Sequence, residues 1–279
     1  MHHAGRTTRR WLTTGAAALM LILTAPAAVS AAAPHSSNAT SVGTDHAMGS
    51  QIRKHEGADR TTRTARATVQ PMATGSVRGI DVSNWQGTVD WTAQWNAGKR
   101  FVWVKATEGT TYTSPSFSSQ YNGSYNKGFT RGAYHFALPN KSTGATQAKY
   151  FSDHGGGWSG DGRTLPGVVD LEYNPYGATC YGLTKAQMRT WIASFSNYYK
   201  TRWNKYPAIY TSTSWWSQCV NSSFSSTNPL WVARYSSTVG TLPYNWSYYT
   251  VWQYSSSPID QDVFNGSATQ LKTFATSHD

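Results

Sequence analysis

In the stretch Leu165-Pro166-Gly167-Val168-Val169-Asp170-Leu171-Glu172-Tyr173, a Pro-Gly break is followed by small and β-branched residues and then by two acids. That pattern predicts a short buried strand running into Asp170 and Glu172. Side chains alternate across a strand, so residues two apart share a face, with Cα atoms roughly 6.5–7 Å apart. Asp170 and Glu172 are therefore delivered side by side, with Leu171 turned the other way. Like charges held that close push their pKa values apart, so one stays protonated while the other ionises. Acid-assisted bond cleavage needs that division of labour. Two solvated carboxylates in a loop would look the same in isolation, so the neighbouring segments have to decide.

On both sides of this strand, short apolar runs alternate with helical patterns. Upstream, strands are predicted at 77–82, 101–106 and 132–138, with helical segments at 91–97, 117–126 and 143–151. Downstream, Thr184 and Gln187 form a capping box that opens the clearest helix, which runs to Trp203. Met188, Trp191, Ile192, Phe195 and Tyr199 fall on one face of it, as core packing requires. Further strands are predicted at 208–212, 230–235 and 250–255, with less helical spacing between them. Repeated strand–helix alternation implies an α/β fold with a parallel sheet and right-handed crossovers. About 200 residues suffice for one such domain. An eight-stranded TIM-like (β/α) barrel is the leading solution and a doubly wound sheet the second.

A barrel builds its active site at the carboxyl ends of its strands. Asp81, Glu108, Asp170, Glu172 and the pair Asp260 and Asp262 all stand at or near predicted strand ends. The chain is otherwise poor in acid: 24 Lys and Arg against 13 Asp and Glu, a net charge of +11. A basic, aromatic-rich domain suits nucleic acid or an anionic carbohydrate polymer. No zinc-finger spacing, phosphate loop or RNA-binding aromatic motif is present, so the polymer is preferred and no nucleic-acid partner is expected.

Residues 1–33 read as a secretory signal peptide. Arg6, Arg9 and Arg10 precede the apolar run 16–28, and small residues follow. The run is too short for a membrane span, so no stable membrane association is expected. Export by the Sec or the twin-arginine route leads to an extracellular, secreted protein. Residues 34–76 are rich in Ser, Thr, Ala, His and Gly without apolar periodicity, and are expected to be a disordered pro-segment or linker. The domain is placed at 77–279. Cys180 and Cys219 are the only cysteines, and in an exported chain an even pair is most simply a disulfide, a catalytic thiol being the alternative. His135 and His154 have no ligand-like spacing around them, so no metal site is read. No cofactor is implied, and a monomer is the default.

Several blocks together resemble family 25 of the glycoside hydrolases, the Chalaropsis-type lysozymes. They are Gly79-Ile-Asp-Val-Ser-Asn-Trp-Gln-Gly87, Phe101-Val-Trp-Val-Lys-Ala-Thr-Glu-Gly109, Gly132-Ala-Tyr-His-Phe136 and Asp170-Leu-Glu172. They continue with Pro207-Ala-Ile-Tyr-Thr211, Leu230-Trp-Val-Ala-Arg-Tyr235, Val251-Trp-Gln-Tyr254 and Ile259-Asp-Gln-Asp-Val-Phe264. Eight blocks in family order span 77–279. The resemblance implies a modified barrel whose last strands lose their regular helices, and a Cys180–Cys219 pairing found in part of the family. It also implies a muramidase that hydrolyses the β-1,4 bond from N-acetylmuramic acid to N-acetylglucosamine in the glycan strands of peptidoglycan. Many such enzymes tolerate 6-O-acetylated muramic acid.

Carried over position by position, the resemblance makes Glu172 the proton donor to the leaving oxygen. Asp170 stabilises charge at the anomeric carbon or orients the substrate acetamido group. Asp81 and Asp260 complete the acidic ring, Asp81 having also been considered a nucleophile, while Asp262 stands where the family often has Asn. Glu108, Tyr134, Tyr210 and Trp252 are expected to contact substrate. Attack by a carboxylate and attack by the substrate's own acetamido oxygen both remain open, and both retain configuration. The rival to catalysis is a non-catalytic barrel that only binds the wall.

Overall fold

The computed structural model describes residues 45–57 and 75–278. The expected signal peptide, and all of 34–76 except 45–57 and 75–76, lie outside the described residues.

Helix α1 (Ser50–Glu56) precedes the barrel. The barrel itself starts at β1 (Val77–Val82) and continues through α2 (Trp91–Asn96) to β2 (Lys99–Glu108), which turns back in the two-residue β3 (Tyr112–Thr113). Strand–helix units follow: α3 (Phe117–Lys127) with β4 (Thr130–Phe136), then α4 (Gly144–Asp153) with β5 (Val168–Asp170). After these come α5 (Lys185–Trp203) with β6 (Ala208–Thr211), and α6 (Thr213–Cys219) with β7 (Leu230–Ala233). The chain ends with β8 (Val251–Ser255), β9 (Gln261–Phe264) and α7 (Ala268–Thr276). The later helices start where Ser or Thr can cap them. Thr143, Thr184, Ser212 and Ser267 each accept a first-turn backbone N–H, and Thr184 and Gln187 close the predicted capping box.

Seven strands run parallel in the order β1, β2, β4, β5, β6, β7, β8, and β9 closes the circle between β8 and β1. Here the fold departs from plain strand–helix alternation: β9 is antiparallel to both neighbours. No helix intervenes between β7 and β8 among the described residues. The sequence shows no apolar run long enough to mark β9, α6 or α7, and their boundaries come from closure of the sheet.

The barrel interior is filled from the inward faces of the strands. Trp103 and Trp231 meet at a ring separation of 4.6 Å, and Tyr210 packs edge-on against Trp231 at 5.4 Å. Two glycines make room for these rings. A Cβ on Gly79 would lie 2.2 Å from the Phe101 ring, and one on Gly132 would lie 2.3 Å from Trp103 Nε1. On the outer face, Ile80, Val82, Val102 and Val104 pack with Phe129 beneath Trp91 and Trp95 of α2. Cys180 and Cys219 are joined in a disulfide that ties the loop after β5 to the end of α6.

The largest difference from the sequence reading lies before the barrel. Residues 45–57, expected to lack order, carry α1 and are seated on the barrel mouth, with Met48 and Ile52 buried. Their apolar content is too small to signal a helix. Their order comes from polar contacts with the barrel.

Candidate active site

Strand direction explains how the acids converge. Asp81 is the inward residue near the end of β1, Asp170 ends β5, and Glu172 follows two residues beyond. Asp260 and Asp262 lie at the start of β9. Because β9 runs the opposite way, its start shares a rim with the carboxyl ends of the parallel strands, and Asp262 pairs in register with Gly79 and Gln253. Strict alternation would not bring Lys105 and Glu108 to one face. The β2–β4 register slips between Lys105 and Thr107, and past this irregularity both side chains face the cleft. Thr107 then turns outward, where its hydroxyl lies 2.7 Å from His135 Nδ1.

The five carboxylates Asp81, Asp170, Glu172, Asp260 and Asp262 are all buried, and all have pKa values above the ordinary range. Burial is the main cause for each. For Asp81 the negative charges of Asp260 and Asp262 add to it, and for Asp170 that of Glu172 does. Asp260 is pushed up to about 7, and Arg53 opposes that rise. Glu172 is pushed up to about 8 by burial, against the pull of three backbone N–H donors. Gln253 Nε2 donates to Asp81 Oδ2 at 2.6 Å, and its own Oε1 lies 2.7 Å from Tyr210 OH and 2.8 Å from Tyr235 OH. Among the described residues, both oxygens of Asp170, both of Asp262 and Oδ1 of Asp81 have no hydrogen-bond partner.

Glu108 behaves differently. Burial would raise its pKa, but His46 and Lys105 outweigh it and bring the group below the ordinary value. Lys105 Nζ sits 2.6 Å from Glu108 Oε2 and 2.8 Å from Asp45 Oδ1, in keeping with a structural ion pair.

The structure brings Asp81, Asp170, Glu172, Asp260, Asp262, Glu108, Tyr134 and Tyr210 together at one end of the barrel. Trp252 is not with them. It occupies the opposite face of β8 from Gln253, and its indole Nε1 donates to Arg234 O at 2.9 Å. Three contributors escaped the sequence reading: Gln253, Tyr235 and Tyr176, whose hydroxyl donates to Glu108 Oε1 at 2.9 Å. Gln253 had a signal, since it neighbours Trp252 in a strand and must face the other way. Tyr176 sits in a loop and had none.

Two cavities of about 410 and 470 Å³ open near this mouth, the first of them lined by residues 45–48. One runs past Trp85, Pro258 and Asp260, the other past Glu108, Tyr112 and Tyr176. Among the described residues, no group of three or more His, Cys, Asp and Glu side chains is arranged to hold a metal ion.

The family model for Glycosyl hydrolases family 25 matches residues 80–263. The chain belongs to this family. Like its other members it is a glycoside hydrolase. It is 50% identical to the N,O-diacetylmuramidase of Chalaropsis sp over 210 residues, which is 72% of this chain and 100% of that protein. It is 46% identical to Lysozyme M1 of Streptomyces globisporus over 238 residues, 82% of this chain and 80% of that protein. The second match is longer than residues 77–279 can supply, so it runs back into the segment before β1. The solved muramidase of Acremonium alcalophilum superposes with a TM-score of 0.70 at 51% identity, covering 72% of this family 25 chain and 99% of that one.

Proposed function

We propose that the protein is an exported muramidase that hydrolyses the β-1,4 bond between N-acetylmuramic acid and N-acetylglucosamine in bacterial peptidoglycan. The observation that carries this reading is the cluster of buried carboxylates with raised pKa values at one end of a family 25 barrel, Glu172 among them pushed up to about 8. The printed names of the relatives support the substrate, and two relatives called N,O-diacetylmuramidase support acceptance of O-acetylated muramic acid.

In this reading Glu172 gives its proton to the glycosidic oxygen as the bond to the anomeric carbon breaks. The 2-acetamido oxygen of the substrate attacks that carbon, and Asp170 orients the acetamido group by hydrogen bonding. Water then opens the cyclic intermediate and passes a proton to the Glu172 carboxylate, so configuration is retained. Asp81, held by Gln253, and Asp260 and Asp262 hold the sugar and tune the charge. Tyr134 and Tyr210 form the floor beneath it. The positive net charge of the chain, +11, favours an anionic wall.

The test is mass spectrometry of fragments released from purified peptidoglycan by the wild type and by Glu172→Gln. Reducing N-acetylmuramic acid ends are expected from the wild type, with the variant slower by about 10²–10⁴-fold. Reducing N-acetylglucosamine ends would overturn the bond assignment. Wall binding without release would mean a binding module.

A further inference from the structure

Residues 45–57 do not pack as an ordinary terminal extension. They engage the acid that the proposed reaction needs free. Backbone N–H groups of Gly49, Gln51 and Ile52 each donate to the Glu172 carboxylate at 2.9 Å, one to Oε1 and two to Oε2. The first-turn N–H groups of a helix have no intrahelical partner, and α1 has no side-chain cap of its own. Glu172 acts as that cap. A carboxyl group whose two oxygens are both engaged by these donors, beneath the segment, is closed off from the oxygen of a leaving group.

The rest of the segment covers the same cleft. Met48 N donates to Tyr134 OH at 3.2 Å, and Asp45 and His46 pair with Lys105 and Glu108 at 2.8 Å each. Trp85, the most exposed tryptophan of the barrel mouth, donates through Nε1 to Asp45 O at 2.9 Å. At the other end Glu56 accepts from Tyr173 OH at 3.0 Å and from the Ser212 hydroxyl, and His55 stacks on Tyr173 at 4.3 Å. Gly49 is the tight point. Its φ is +73°, and a Cβ there would lie 2.1 Å from Tyr235 OH. Only glycine lets the backbone come so close to the acids in that conformation. The cavity lined by Asp45 to Met48 also runs past Arg53 and Asp260.

We infer that residues 45–57 are an intramolecular inhibitor that fills the glycan cleft and occupies Glu172, so that the full chain is a latent form switched on when the segment leaves. The inference rests on the reading of this cleft as the glycan site. The segment is tethered, so it competes at high effective concentration. Apparent affinity for glycan falls by the fraction of time the cleft is open. Severing the chain between Gly57 and Gly75 converts the tethered competitor into one that dilution removes.

The experiment uses the full chain carrying a site-specific protease sequence within residues 58–74, cut after folding, beside an uncut chain and an uncut Gly49→Ala variant. Two readouts are taken: kcat/KM on soluble peptidoglycan fragments, and binding of a thio-linked, uncleavable tetrasaccharide of alternating N-acetylglucosamine and N-acetylmuramic acid. Both the cut chain and Gly49→Ala should exceed the uncut chain by at least about tenfold in each. A synthetic peptide of residues 45–57 should then inhibit the cut chain competitively. Equal values for all three forms would overturn the inference. If no form hydrolyses glycan yet the cut chain binds it and the uncut chain does not, the muramidase reading fails and the inhibitory segment stands. The barrel sequence is unchanged in every form, and matching melting of the barrel confirms that folding is not the variable.

Discussion

Asp170 and Glu172 illustrate how a buried acid is made useful. Removing a carboxylate from water disfavours its charge, and a second carboxylate nearby adds to that, so the group holds its proton where an exposed acid would have lost it. The same arrangement has a cost in stability that pH exposes. Glu172 and Asp260 have folded pKa values of about 8 and about 7, above their ordinary 4.5 and 3.8. Below about pH 4 both groups are protonated in the folded and unfolded chain, and the fold keeps their full contribution. Between about pH 4 and 8 the unfolded chain ionises first, and stability declines. The melting temperature is therefore expected to fall from pH 5 to pH 8.5, and Asp260→Asn should flatten the slope between pH 4 and 7. Glu108 works in the other direction, because its lowered pKa stabilises the fold above the ordinary value and is lost at more acid pH. A melting temperature that climbed from pH 5 to pH 8.5 would contradict the assigned burial. Activity has its own signature: once residues 45–57 are released, kcat/KM should decline on the alkaline side as Glu172 loses its proton.

Among the elements, β2 and β9 do the positioning that no single residue could. The irregularity after Lys105 brings Glu108 to the face of its salt-bridge partner, and reversal of β9 turns two further acids into the same mouth. Around this mouth the loop after β5 is anchored to α6 by the disulfide, across a sequence separation of 39 residues. Cross-linking a loop of that length stabilises by about 4 kcal/mol on the chain-entropy account. The pair C180S/C219S should lower the free energy of unfolding in urea by roughly that amount. On the outer side, Gln147 of α4 binds both backbone groups of Leu138, at 3.0 and 2.7 Å, and His135 Nε2 at 3.0 Å. Gln147→Ala would leave these buried groups unpaired. It should cost about 1–3 kcal/mol in the same urea titration while the site's pH profile keeps its shape.

Taken whole, the molecule is a strongly basic chain, +11, that presents a cluster of acids at one end of a barrel. The two charges serve different distances. The basic excess acts over the outer surface and is screened by salt within about 8 Å at physiological ionic strength. The acids act inside the cleft, where screening is weak. Hydrolysis of intact cell walls is therefore expected to drop as salt rises from 50 to 500 mM. Hydrolysis of a short uncharged glycan should hardly change. Parallel loss on both substrates would remove the role given to the basic surface. The segment at 45–57 adds a third level, since the polar groups of the site are met by the chain's own backbone.

Periodicity carried a great deal of this. Apolar runs placed β1 at 77–82 as observed, and the capping box placed the start of the long helix, because both depend on neighbours in sequence. Acids near strand ends picked out the carboxylates that converge at the mouth, since strand ends and barrel mouths coincide. What the sequence alone could not show is long-range. The antiparallel course of β9 follows from closing the sheet, and the outward turn of Trp252 follows from the register that brings Gln253 inward. Residues 45–57 look unstructured in isolation because their few apolar residues cannot offset ordering entropy. They become a helix only when Glu172 caps them across 120 or more residues of chain, a contact that exists once the barrel has folded.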